Sequence, residues 1–209
     1  MTARSMVLLL LAVSSLAAAR EPVVGLPCEN CAAVFEEMPA KLESTARIAP
    51  PGEPGEPMVI TGRVVDTAGK PRSGVIVFAY HTDAGGIYPR SGGSLSPEAA
   101  RQGRLRSWAR TDNEGRYVFE TIRPASYPSR NIPAHVHMQV IEPGCATYYI
   151  DEIKFTDDPL LTPERQERAP NRGGSGITTP LRDGAKGPWR VTRNIQLGLN
   201  IPGYPGCGT

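Results

Sequence analysis

The chain holds only three histidines, and two of them, His135 and His137, stand two residues apart in "NIPAHVHMQV", residues 131–140. The run around them reads as a β-strand, and side chains at i and i+2 of a strand point to the same face. Two imidazoles can therefore be presented to one point, which is what a bound metal asks of its ligands. Taken alone, such a pair is more often structural than metal-binding, and two donors are too few to hold an ion. The chemistry depends on what else converges on the same spot.

His81 is the remaining histidine, and no cysteine cluster lies near the pair in sequence. Glu142 follows His137 by five residues, a spacing that resembles the first half of a cupin motif. That motif needs a later histidine, and none follows His137, so it is set aside. Tyrosine is the donor left. "DAGGIYPRSG" places Tyr88 in a glycine-rich loop just after a strand, and "TIRPASYP" places Tyr127 just before the histidine strand.

The elements that must carry these residues are strands. At 209 residues there is room for one core-bearing domain with appendages. Gly and Pro make up about a fifth of the chain, which favours a loop-rich β protein. The segments "MVITGRVVD", "VIVFAYHT", "SWARTD", "RYVFETI", "AHVHMQVIE", "YYIDEIKF" and "WRVTRNIQLGL" read as strands bounded by turn residues. In "YYIDEIKF" the apolar positions Tyr149, Ile153 and Phe155 alternate with charge only imperfectly. The expected fold is an all-β sandwich of mostly antiparallel strands with long loops and a short N-terminal arm. The expected divisions are 1–19, 20–56 as the arm, 57–199 as the sandwich and 200–209 as a tail. Within the arm, "AAVFEEMPAKLEST" is read as one short helix. The stretches 83–107 and 156–188 read as long polar excursions.

The net charge of +2 is nearly neutral and its lysines and arginines are scattered, so no nucleic-acid partner is expected. The N-terminus, "MTARSMVLLLLAVSSLAAAR", has Arg4, an apolar run from Met6 to Val13 and small residues at Ala17 and Ala19. That is the pattern of a secretory signal peptide cut after Ala19, with an apolar run too short to span a bilayer. The expectation is an exported protein, periplasmic or extracellular, without stable membrane insertion after cleavage. Export makes disulfides the default for Cys28, Cys31, Cys145 and Cys207, and their three possible pairings stay open. "CENC" as a redox motif or half a zinc site is disfavoured, because no strand precedes it and no second such motif exists.

Read together, "DAGGIYPRSG", "TDNEGRYVFETIRPASYP", "PAHVH" and "FTDDPL" resemble, in order, segments of the intradiol ring-cleavage dioxygenases, the family of catechol and protocatechuate dioxygenases. The resemblance covers roughly residues 54–199. It implies a non-haem Fe(III) centre held by Tyr88, Tyr127, His135 and His137, with Tyr127 the exchangeable ligand and Tyr117 in the core. Anionic phenolate oxygen suits a hard trivalent cation. It further implies a small-molecule catechol and O2 as substrates, cleaved to a muconate-type diacid. Where members carry an arginine three residues before the first histidine, this chain has Ile132. Arg130 is the candidate to stand in for its catalytic role, and Glu152 aligns with a glutamine of the family. With Ile132 there, that wall of the pocket is expected to be more open and less positive, with no strong preference for a carboxylated catechol. The helical dimerisation segment of catechol-type members is missing, and a homodimer stays open. The competing reading is a non-catalytic transthyretin-like sandwich module, which has no reason to retain all four donors.

Overall fold

The computed structural model describes residues 22–25, 31–93, 95–182 and 184–207, without the side chains of residues 31 and 32. Residues 1–19, read from sequence as a signal peptide, Cys28 and the thiol of Cys31 lie outside the described residues. In chain order the strands are β1 (Thr45–Arg47), β2 (Pro57–Val65), β3 (Ile76–His81), β4 (Arg106–Arg110), β5 (Arg116–Ile122), β6 (His135–Glu142), β7 (Ala146–Phe155), β8 (Ile177–Thr178), β9 (Leu181–Arg182), β10 (Trp189–Thr192) and β11 (Ile195–Gln196). Two one-turn helices, α1 (Pro97–Arg101) and α2 (Pro163–Glu167), sit in the long connections. The all-β sandwich expected from the strand pattern is what forms.

One sheet runs β1-β5-β2-β10-β9 with β11 also on β2, and the other runs β4-β3-β6-β7-β8. The long strands pair antiparallel, as in β2 with β5 and β6 with both β3 and β7. The short strands β1, β8, β10 and β11 join in parallel. Period-two alternation sends Val77, Ala79, Val136, Met138 and Val140 inward against Met58, Ile60, Tyr117 and Phe119, forming one continuous core. The opposite face of the second sheet is also covered. Ile76, Phe78, Tyr80, Trp108 and Ile141 form an apolar stripe beneath Val34, Phe35, Met38 and Leu42 of the N-terminal arm. The Trp108 indole donates to the Val34 carbonyl at 2.7 Å and pins the arm in place. This explains why every residue of β3 is buried.

Three local readings change. The arm forms a 3-10 turn at Cys31–Phe35 rather than a longer helix, and Glu37 leaves it in the left-handed conformation. "WRVTRNIQLGL" is two short strands, β10 and β11, rather than one. The buried guanidinium of Arg193 interrupts them by donating to the carbonyls of Gly173, Asn194, Asp151 and Arg172. In β7 the register slips: Val136 faces Ile153 but Met138 faces Ile150, so Asp151 and Glu152 together oppose His137. That bulge lets Tyr148 and Ile150, then Ile153 and Phe155, all point into the core. It is the physical reason for the imperfect alternation in "YYIDEIKF".

Of the cysteines, Cys145 is bonded to Cys207, closing a loop across 62 positions with a Cα–Cα distance of 5.6 Å. The tail is thereby tied to the turn after β6.

Candidate metal centre

The histidine strand delivers its pair to the outer face of the second sheet. His135 opens β6, and His137 sits opposite Tyr80 of β3, whose ring stacks on the imidazole at 4.5 Å. The His135 Nδ1 lies 2.8 Å from the Pro133 carbonyl, which can only accept, so Nδ1 carries the proton and Nε2 presents a lone pair.

Two loops bring in the tyrosines. In the first, the Asp83 carboxylate accepts from the amides of Gly85 and Ile87 at 2.8 and 3.0 Å, curling the chain so that Tyr88 turns back toward the sheet. Gly86 holds φ near +79°, and a Cβ there would lie 2.0 Å from the Ser126 carbonyl. Only glycine permits that contact, and the contact sets the Tyr88 loop against the Tyr127 loop. In the second, the Asp158 carboxylate of "FTDDPL" accepts from the Ala134 amide at 2.6 Å and the Ser126 hydroxyl at 3.4 Å. One side chain thus ties down the residue before Tyr127 and the residue before His135.

The result is a closed ring of four polar atoms. Tyr88 Oη lies 2.7 Å from Tyr127 Oη, which lies 3.2 Å from His135 Nε2. His135 Nε2 is 3.1 Å from His137 Nε2, and that atom is 2.9 Å from Tyr88 Oη. The protons do not suffice for these contacts. Two phenols supply one each and His137 at most one, while His135 Nε2 has none, so lone pair must face lone pair in at least one of the four. A cation among the four atoms removes that conflict. Ligand bonds of about 2.0–2.1 Å put neighbouring donors about 3 Å apart, which is the spacing of this ring. The donor set fits a hard metal ion.

The surroundings disfavour the charged forms of both imidazoles and of Tyr88 when no cation is bound. Burial holds His137 down to about 3 and lowers His135 as well. Burial, then its hydrogen bond with Tyr127, pushes Tyr88 well above the ordinary phenol range. A bound cation reverses the sense for the phenols, since it favours their anionic form. Glu152 lies with Oε1 3.9 Å from His137 Nδ1. Burial alone would raise its carboxyl, but Lys154 at 3.3 Å and the Tyr149 hydroxyl outweigh that and hold it at about 2.

The ring lies in a cleft of about 880 Å³ whose lining includes Ile132 and Arg130, both singled out from sequence. Arg130 is exposed, its guanidinium 6.0 Å from the centre of the Tyr127 ring. Ile132 contributes an apolar side chain to this wall, and the cleft as a whole carries more cations than anions. Arg101, Lys154 and Arg172 join Arg130 in lining it, against one carboxylate, Glu152. They come from α1, β7 and the loop after α2, three segments with no shared motif, so sequence spacing carried no sign of them. Tyr80 was missed too; its signal was its place in β3 one residue before His81, on the opposite face.

The other sequence candidates are elsewhere. His81 is fully buried, with Nδ1 2.6 Å from the Thr82 carbonyl and Nε2 2.6 Å from the Thr121 hydroxyl. Glu142, at the far end of β6, accepts from the hydroxyls of Tyr148 and Tyr204. Tyr117 is in the core, as read.

Fold and site together define a β-sandwich protein with a two-histidine, two-tyrosine donor set on one sheet face. Comparison with known proteins narrows the class. The sequence model of the dioxygenase family ("Dioxygenase") matches residues 32–169. The chain belongs to the intradiol ring-cleavage dioxygenase family. It is 36% identical over 120 residues to the protocatechuate 3,4-dioxygenase beta chain of Burkholderia cepacia, covering 53% of this chain and 49% of that one. It is 33% identical over 119 residues to catechol 1,2-dioxygenase of Candida albicans, covering 47% and 38%. The chain thus spans half or less of the length of these curated relatives. In fold it is similar to the dioxygenase domain of a dioxygenase carbohydrate-binding protein fusion from Streptomyces sp. SirexAA-E. That likeness has a TM-score of 0.52 at 20% identity and covers 85% of this chain and 98% of that one.

Proposed function

We propose that this protein is a non-haem iron(III) intradiol dioxygenase that opens catecholic rings with O2 to muconate-type diacids. The observation that carries the reading is the ring formed by Tyr88, Tyr127, His135 and His137, whose four contacts have too few protons to fill them. Iron(III) bound to these atoms would supply the Lewis acidity and redox character that make a catecholate reactive toward O2. The chain's own residues do the rest. Tyr88 is the more firmly built of the two phenols, fixed by the Asp83 loop and the Gly86 contact. Tyr127, three residues before exposed Arg130, is the base that takes a catechol proton at its Oη. Tyr80 and the Pro133 carbonyl hold the two imidazoles in orientation. Family membership supports the same chemistry, and a spacer module has no use for four converging donors.

The test is oxygen uptake with catechol by iron-loaded protein, with the product identified by mass spectrometry after reaction under 18O2. Cleavage between the two hydroxyl-bearing carbons, with both labelled atoms retained in a diacid, is expected. No uptake with any catechol, or cleavage outside the hydroxyl pair, would overturn the assignment. We also propose export, from the N-terminal pattern; a mature protein starting at Arg20 is the expected result of N-terminal sequencing, and an intact Met1 would contradict it.

A further inference from the structure

The four cations around the cleft are not equivalent. Lys154 is paired to Glu152 at 3.3 Å, and Arg172 is paired to Asp151 at 2.9 Å and lies over the Tyr149 ring at 4.6 Å. Arg101 and Arg130 are exposed, and among the described residues neither has a carboxylate partner. They stand on the two segments that also carry the tyrosines. Arg101 ends α1 in the loop that holds Tyr88, and Arg130 follows Tyr127 by three residues. The same two segments also contribute apolar lining to the cleft, Ile87, 55% exposed, and Ile132.

Size points the same way as charge. About 880 Å³ is near the top of the range of roughly 300–1,000 Å³ that receives drug-sized ligands. A single catechol ring fills a small part of it. The occupant that matches has its hydroxyls at the tyrosine and histidine tips, an apolar body against Ile87 and Ile132, and a negative charge at the rim.

We propose that Arg101 and Arg130 form an anion-binding rim that selects catechols carrying a carboxylate on a substituent beyond the ring. The proposal rests on the dioxygenase reading above for where the catechol oxygens go. A guanidinium meets a carboxylate with paired N–H donors, and two unpaired arginines on separate loops can approach one carboxylate from both sides. At an exposed rim the attraction is modest and is screened by salt.

The test is equilibrium binding by calorimetry, without O2, of three catechols of similar size. These are 3,4-dihydroxycinnamate, its methyl ester, and 3,4-dihydroxyphenethylamine, which carries a positive charge instead. The protein as purified is expected to bind the acid roughly five- to tenfold more tightly than the ester and the amine most weakly. The advantage of acid over ester should collapse at about 0.5 M salt. It should also vanish in the doubly substituted Arg101→Gln, Arg130→Gln protein and survive in part with lysine at both positions. Equal affinity for acid and ester in the unsubstituted protein overturns the proposal, as does an advantage that persists at high salt. A glutamine variant that keeps its circular dichroism and still prefers the acid overturns it too. Should that variant not fold, the salt series decides. Failure of the dioxygenase reading would be seen separately, as absent oxygen uptake in a protein that still ranks acid above ester.

Discussion

The two ends of strand β6 each hold a cluster of tyrosines, and they are built on opposite principles. At the far end, Tyr148 and Tyr204 donate to the two oxygens of Glu142 at 2.7 and 3.2 Å. Every proton there has an acceptor, and the Cys145–Cys207 bond locks the tail that supplies Tyr204. At the near end, Tyr88 and Tyr127 meet each other and two imidazoles, with no carboxylate in the ring and fewer protons than contacts. A satisfied polar cluster rigidifies a fold. A cluster of converging lone pairs makes sense only around something positive. The difference is the one expected between a structural cluster and the metal centre proposed here.

The comparison is broken most severely by removing an imidazole. His135→Ala or His137→Ala should lose iron retention and lower ring-cleavage turnover by more than about 10²-fold, since even outer partners of metal ligands cost about 10–100-fold. Metal analysis after dialysis and oxygen uptake check it; full iron content in either variant would show that the ring is not the centre. Next in size is Tyr127→Phe. It should keep part of the iron while losing most turnover, and its visible band should shift. An unchanged spectrum and rate would take Tyr127 out of the ligand set.

The far end should behave oppositely. Cys145→Ser with Cys207→Ser is expected to lower stability by about 2–4 kcal/mol, from the freed chain entropy of a loop closed across 62 positions. Iron binding of the folded fraction should stay as before. Denaturant titration alongside the visible band would show both, and loss of the band before unfolding would couple the two ends. His81 extends the contrast to pH. Burial holds its folded pKa down to about 4, from 6.5 when free. The folded state therefore refuses a proton that the unfolded state accepts below pH 6.5. This contribution to stability is complete above pH 6.5 and is lost as pH falls toward 4, on the order of 3 kcal/mol over the window. His81→Asn should flatten that part of the stability profile; an unchanged slope would assign it to other groups.

Much of this was legible in the sequence, and unevenly. The long strands could be read because alternation and turn residues bound them. The histidine pair could be read because strand geometry alone puts i and i+2 on one face. The tyrosines could not be placed by spacing. Tyr88 lies 47 residues before His135, and only the resemblance joined them; the physical cause is the Asp83 turn and the Gly86 contact with Ser126. The bulge opposite His137 left its trace as faulty alternation in β7 without revealing itself. The break between β10 and β11 was hidden, because a buried arginine whose terminal nitrogens donate to backbone carbonyls has no local signature. Of the cations of the cleft only Arg130 was singled out; Arg101, Lys154 and Arg172 come from a helix, a strand and a loop that no motif joins.

The central claim is that the four converging atoms bind one ferric ion through two phenolates. It is tested most directly by titrating metal-free protein with iron(III) while following visible absorption. The account predicts saturation at about one equivalent per chain, a burgundy to red band from phenolate-to-iron charge transfer, and no such band when Tyr88 and Tyr127 are both replaced by phenylalanine. A protein that stays colourless on saturation with iron, or a band that survives loss of both tyrosines, would contradict it.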